Sequence, residues 1–118
     1  MAPRTQLQIT TSSVVRLVKE EASYHKELEH QVERVKRVEA ETAGDDENRE
    51  YLLKQENLAL EETKKVFPTL RQQIKQTVAN LDALIIEEGK KGSESSVEDI
   101  TAAKDAIAQA KIAQREIS

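Results

Sequence analysis

Two histidines, His25 and His30, are the first residues that could do chemistry, as metal ligands or as a general base. Five positions on a helix displace two side chains by about 140°, so the pair cannot share an ion as an i, i+4 pair could. His25 falls on an apolar row beside Leu28 and reads as a half-buried, hydrogen-bonded side chain, and His30 reads as solvated. Gly89-Lys90-Lys91-Gly92 has a superficial phosphate-binding look. A P-loop sets its glycines between a strand and a helix and ends in Lys-Ser/Thr, and this segment does neither. The serines have no base placed to activate them and no G-x-S-x-G elbow. Acid pairs at Glu20-Glu21, Glu61-Glu62 and Glu87-Glu88 lack a pocket that would desolvate one member and raise its pKa. No catalytic residue, metal ligand or cofactor site is expected, and an enzyme is not the reading.

The elements that must carry these residues are helices. From about Thr11 to Ala43 the chain runs without a glycine, and a second stretch of similar length follows Gly44-Asp45-Asp46. Read in sevens, Val14, Glu21, Leu28 and Val35 form one row of the first stretch, with Val18, His25 and Val32 beside it. The second gives Leu53, Leu60, Phe67, Ile74 and Leu81, flanked by Thr63, Leu70, Thr77 and Leu84. A sustained period near 3.5 with charges elsewhere predicts helices packed along their length. At 1.5 Å per residue such helices reach roughly 50 Å, which predicts a rod with surface for a partner and little depth for a substrate.

Boundaries follow from capping chemistry. Hydroxyls between Thr10 and Ser13 predict the first N-terminus. Gly44 supplies a left-handed residue to end that helix, and Asp45 or Asp46 caps the next, which runs to about Glu88. A connection this short predicts antiparallel helices. Gly89 to Ser96 reads as a flexible polar link, and Ser95 with Glu98 as a capping box for a third helix striped by Ile100, Ala103, Ile107, Ala110 and Ile117. Pro68 removes one backbone N–H, yet the apolar rows keep register across it. It therefore predicts a kink within one helix. The expectation is an all-α, elongated up-down-up three-helix bundle, one domain over residues 1–118, with Leu28, Leu60 and Ile107 in its core.

Composition narrows the function. A net charge of −4, with eleven acids against five bases from Glu20 to Glu50, offers no basic field for nucleic acid. No apolar run approaches the roughly 20 residues of a membrane span. The absence of cysteine excludes a disulfide framework and is consistent with a cytosolic setting. The first 19 residues are acid-free, a composition shared with transit peptides, but their apolar pattern continues straight into the first helix. Only one Phe, two Tyr and no Trp are present, so aliphatic side chains must do the packing. What remains is an interaction protein with charged rows, Glu20 and Glu27 on the first helix and Lys64, Arg71 and Lys75 on the second, which double as solvated faces with intrahelical pairs such as Glu61 with Lys65.

Three ordered motifs carry a resemblance. Leu17-Val18-Lys19-Glu20-Glu21 with Tyr24 and Glu27, then Leu53-Lys54-Gln55-Glu56, then Glu62-Thr63-Lys64 leading to Phe67-Pro68-Thr69-Leu70, resemble the tubulin-binding cofactor A family, also called tubulin-specific chaperone A. Met1-Ala2-Pro3 and Thr5-Gln6-Leu7 are similar to fungal members. The resemblance covers residues 5 to 85; the polar link and the Ala-rich third helix match it poorly. It implies a cytoplasmic protein associated with the microtubule cytoskeleton that captures β-tubulin after chaperonin release and passes it toward the αβ-tubulin heterodimer. Other tubulin-folding cofactors are further partners it implies. It also implies no cofactor or metal, as composition implies no nucleic acid or membrane partner. Lys19, Glu20, Tyr24, Glu27, Lys54, Gln55, Lys64 and Arg71 are the candidate partner-binding residues. Monomer and weak homodimer both remain open, because Glu21 and Thr63 on apolar rows fit a polar layer or a dimer contact. The competing reading, a coiled-coil or spectrin-like spacer, lacks a tandem repeat.

Overall fold

A computed structural model describes residues 3–41 and 46–117, the side chains of Asp46, Glu116 and Ile117 excepted. Three α-helices account for nearly all of it: α1 (Gln6–Ala40), α2 (Asp46–Gly89) and α3 (Val97–Ile117), with one turn of 3-10 helix at Gly92–Glu94. There is no strand among the described residues. The expected α1–α2 turn at Gly44 and Asp45 lies outside them.

The chain divides into two compact units, residues 1–20 with 70–118, and residues 21–69. Unit 1 holds three helical segments. Its buried apolar residues are Leu7, Val14 and Leu17 on α1, Leu70, Ile74 and Leu81 on α2, and Ala103, Ala106, Ile107 and Ala110 on α3. The Gln8 amide donates to both carboxylate oxygens of Asp99 at 3.3 Å, which brings the start of α3 to the start of α1 and makes the two parallel. Alanines at three of the four buried α3 positions permit close approach of the helix backbones.

Unit 2 is an antiparallel hairpin of α1 and α2. Its register shows in His25 against Phe67 and in Arg34 bonded to Glu56. Val35, Leu60 and Phe67 are buried, together with the polar Glu21 and Gln31. Leu28 is only half-buried.

Several boundaries differ from expectation for identifiable reasons. The first helix starts at Gln6, ahead of the Thr10–Ser13 hydroxyls, because Thr5 and Gln8 form a reciprocal capping box. The Gln8 N–H donates to Thr5 Oγ1 at 3.2 Å and the Thr5 N–H to Gln8 Oε1 at 2.9 Å. Thr11 and Ser13 instead return their hydroxyls to the carbonyls of Leu7 and Ile9 inside the helix. At its other end α1 stops at Ala40, not Ala43, and the Arg49 guanidinium covers the carbonyls of Val38 and Glu39 at 3.2 and 2.6 Å. That satisfies acceptors which a helix C-terminus otherwise leaves open.

Beyond α2 the cap of α3 is Ser96, not Ser95. Ser96 Oγ accepts the Asp99 N–H at 3.3 Å, and its own N–H is taken by Glu88 of α2 at 2.8 Å. The expected Ser95–Glu98 box is replaced by one assembled across the turn. Gly92, at φ +63°, provides the left-handed step of that turn. Through Pro68, α2 is a single uninterrupted helix. On α1 the second buried row is Thr10, Leu17 and Gln31, while Val18, His25 and Val32 are half-buried flankers.

Candidate functional site

Unit 2 holds five of the eight candidate residues. Tyr24 is 39% exposed, and its ring stands edge-on to Phe67 with centroids 6.5 Å apart and planes at 80°. His25 stacks on the same Phe67 at 4.3 Å, and its buried Nε2 has no hydrogen-bond partner. Aromatic packing therefore replaces the expected hydrogen bond. The stack packs α1 against α2, and Tyr24 lies beside it with part of its ring accessible.

One turn further along, Glu27 accepts from Arg34 Nη2 at 3.1 Å, and Arg34 Nε reaches Glu56 on α2 at 3.3 Å. The hydrogen bond to Glu27, ahead of that to Glu56, raises the Arg34 pKa above its ordinary value. Glu27 is thus one arm of an acid–base–acid bridge between the helices. Lys54 and Gln55 are exposed and make no side-chain hydrogen bond among the described residues. Lys64 is tied to Glu61 at 3.3 Å, so Glu61 pairs with Lys64 where Lys65 was expected.

Unit 1 holds the other three. Lys19 and Arg71 are exposed, and Glu20 faces Arg16 at 3.6 Å on its own helix. No two of Lys19, Glu20, Tyr24, Glu27, Lys54, Gln55 and Lys64 pair with one another.

The sequence reading missed an apolar component of the surface. Tyr51, Leu52 and Leu58 are 61, 40 and 51% exposed on α2, on either side of Lys54 and Gln55. Apolar side chains therefore lie outside the packed rows as well as within them. A signal was available: Tyr51-Leu52-Leu53 supplies three apolar residues where the seam needs one, and Leu58 repeats Tyr51 after seven on the outward row. Exposed aromatics and aliphatics beside long polar side chains are the composition of a protein-binding surface. Among the described residues no group of three or more His, Cys, Asp or Glu could hold a metal, and no helix is long and apolar enough to cross a membrane.

A family model described as tubulin binding cofactor A matches residues 2–107. The chain belongs to this family. The match extends past residue 85 into α3, so the third helix belongs to the resemblance, contrary to the narrower span read from motifs. Among curated cofactor A relatives, the tubulin-specific chaperone A of Saccharomyces cerevisiae is 32% identical over 110 residues, 93% of each chain. A solved structure of Rbl2p, a β-tubulin binding post-chaperonin cofactor, matches with a TM-score of 0.70 and 31% identity over 92% of this chain and 96% of its own. The three-helix fold described above is therefore that of a cofactor A protein.

Proposed function

We propose that this chain is a tubulin-folding chaperone that binds β-tubulin after its release from the chaperonin and hands it on for assembly of the αβ heterodimer. The observation that carries the reading is the agreement in fold, over more than nine-tenths of both chains, with a β-tubulin binding post-chaperonin cofactor. Its work would lie in the cytoplasm beside the microtubule cytoskeleton, with other tubulin-folding cofactors downstream. Holding a partner requires surface rather than chemistry, and the helices offer two kinds. Tyr24, Tyr51 and Leu58 supply apolar area that water solvates poorly. Charged rows through Glu20, Glu27, Lys64 and Arg71 supply orientation and a salt-dependent encounter rate.

The test is capture of purified β-tubulin, with α-tubulin as control. Reversing Lys64 and Arg71 together, with the Glu27–Arg34–Glu56 bridge left intact, is expected to leave helicity unchanged, because exposed substitutions typically alter stability by less than about 0.5 kcal/mol each. Capture should weaken, most at low salt. Tyr51→Ala with Leu58→Ala should weaken it with little dependence on salt. A protein that self-associates and leaves β-tubulin free would be a spacer, and capture unaltered in both variants would move the interface to another face.

A further inference from the structure

One flank of unit 1 carries an open groove of about 350 Å³ between α1 and α2. Thr10, Ser13 and Arg16 line it from α1, and Gln73, Thr77 and Asn80 from α2. Its volume is at the lower end of ligand-binding sites, enough for a few residues of extended chain and too small for a folded element. In a chain of net charge −4 the lining contains no acid, and Arg16 is its one cation.

The neutral groups are suited to a peptide backbone. A backbone offers one donor and one acceptor per residue, and amides and hydroxyls answer both. Thr77 commits its hydroxyl proton to the Gln73 carbonyl at 2.7 Å, and Ser13 commits its own to Ile9 at 3.1 Å. Both oxygens are thereby left as acceptors for incoming N–H groups. Asn80 Oδ1 already accepts from Gln76 Nε2 at 3.2 Å, which leaves the Asn80 amide as a donor. Among the described residues Arg16 is held only by Glu20, at 3.6 Å, with 67% and 48% of the two side chains exposed. So solvated a pair is weak, and a ligand carboxylate able to meet the guanidinium fork in two hydrogen bonds can displace Glu20.

We propose that this groove binds an extended acidic peptide segment, its carboxylate on Arg16 and its backbone along Ser13, Gln73, Thr77 and Asn80. The proposal rests on the reading above that the chain binds a protein client, and assigns the segment to that client. It also gives Glu20 a different task from the one its sequence motif suggested. Glu20 is an internal competitor that keeps Arg16 oriented until a stronger carboxylate arrives.

The probe is a capped eight-residue peptide of alternating Glu and Ala, titrated into the full, isotope-labelled chain and followed by NMR, with a Gln-Ala peptide as control. Shifts are expected in the side-chain amides of Gln73 and Asn80 and along residues 9–17. Affinity should fall about tenfold or more for the Gln-Ala peptide and for Arg16→Gln, as for loss of a charge-assisted hydrogen bond. It should rise severalfold in Glu20→Gln. Shifts absent at millimolar peptide, scattered over the surface, or indifferent to Arg16→Gln would overturn the proposal. So would peptide-independent, concentration-dependent shifts at the groove, which mark a second copy of the chain as its occupant. β-Tubulin capture by wild type and by Arg16→Gln/Asn80→Ala separates the two readings. No capture by wild type removes the chaperone function while the titration still judges the groove. Wild-type capture undiminished in the double variant removes the groove as a client site and leaves the function standing.

Discussion

The side-chain oxygen of Gln31 is buried without a hydrogen-bond partner, on a residue only 6% exposed. A buried acceptor in that state costs about 1–3 kcal/mol, whereas an apolar side chain of similar shape there costs nothing of the kind. Gln31→Leu is therefore expected to raise stability by about 1–2 kcal/mol, read as a higher thermal midpoint with unchanged helicity. A midpoint that falls would show that Gln31 is satisfied in solution. Glutamine here was hidden from a reading by hydrophobic period, whereas fully buried Glu21, one row over, fell on the row that period marks as inward. Val18, His25 and Val32 look like the inner row because they include two β-branched aliphatics, yet geometry assigns burial to Thr10, Leu17 and Gln31. On α2, where the first row is wholly aliphatic or aromatic and the second is half threonine, Leu60, Phe67, Leu70, Ile74 and Leu81 are buried as expected, while Leu53 and Leu84 are half-buried.

Where helices meet turns, single side chains do the joining, and Glu88 is the one whose action depends on pH. The Ser96 N–H, and after it Lys91 at 3.0 Å, hold its carboxyl below the ordinary 4.5, against a smaller desolvation that acts the other way. A depressed folded pKa contributes stability that is present above the unfolded value and lost as pH falls through the folded one. Glu88→Gln should therefore lower the thermal midpoint at neutral pH, and the difference from wild type should shrink below about 4.5 and vanish once both forms are neutral. A difference that stays constant into acid would show that the charge is not what orders the turn. At the start of α1, Thr5→Ala removes a cap and should cost about 1 kcal/mol, with faster amide exchange at Gln8 as its local sign. Helix number, order and the end of α2 were legible because glycines and charge changes punctuate the sequence. The caps were less so. The hydroxyl run Thr10-Thr11-Ser12-Ser13 competes with Thr5-x-x-Gln8 as an N-terminal signal, and nothing in local sequence says that Glu88 will close the box of Ser96 from the preceding helix. Polar faces were least legible, because a binding row and a solvated row have the same composition. The partner came with the family motifs.

At the scale of the whole chain, burial is unequally shared. Among the described residues, unit 1 buries ten apolar side chains and one polar, and unit 2 buries three apolar and two polar. Local opening follows buried apolar contact, and regions that bind partners are commonly drawn from the less stable part of a fold. Amide hydrogen exchange should therefore rank residues 21–40 and 47–69 below residues 7–20, 70–89 and 97–110 in protection. Ile107→Ala, in the better-packed unit, should cost about 2–5 kcal/mol and accelerate exchange chiefly in unit 1, with half-buried Leu28→Ala costing less. Unit 1 exposes the aliphatics Ile9, Val15, Ile86, Val97 and Ile112, while the unit expected to be less protected exposes Tyr24, Tyr51, Leu52 and Leu58. If those side chains meet β-tubulin, capture should raise protection most in residues 21–40 and 47–69, because a partner covering that surface adds the apolar contact the hairpin lacks on its own. Equal protection of both units in the free chain, or a gain on capture confined to unit 1, would show that the apolar residues of α2 are not where the client is held.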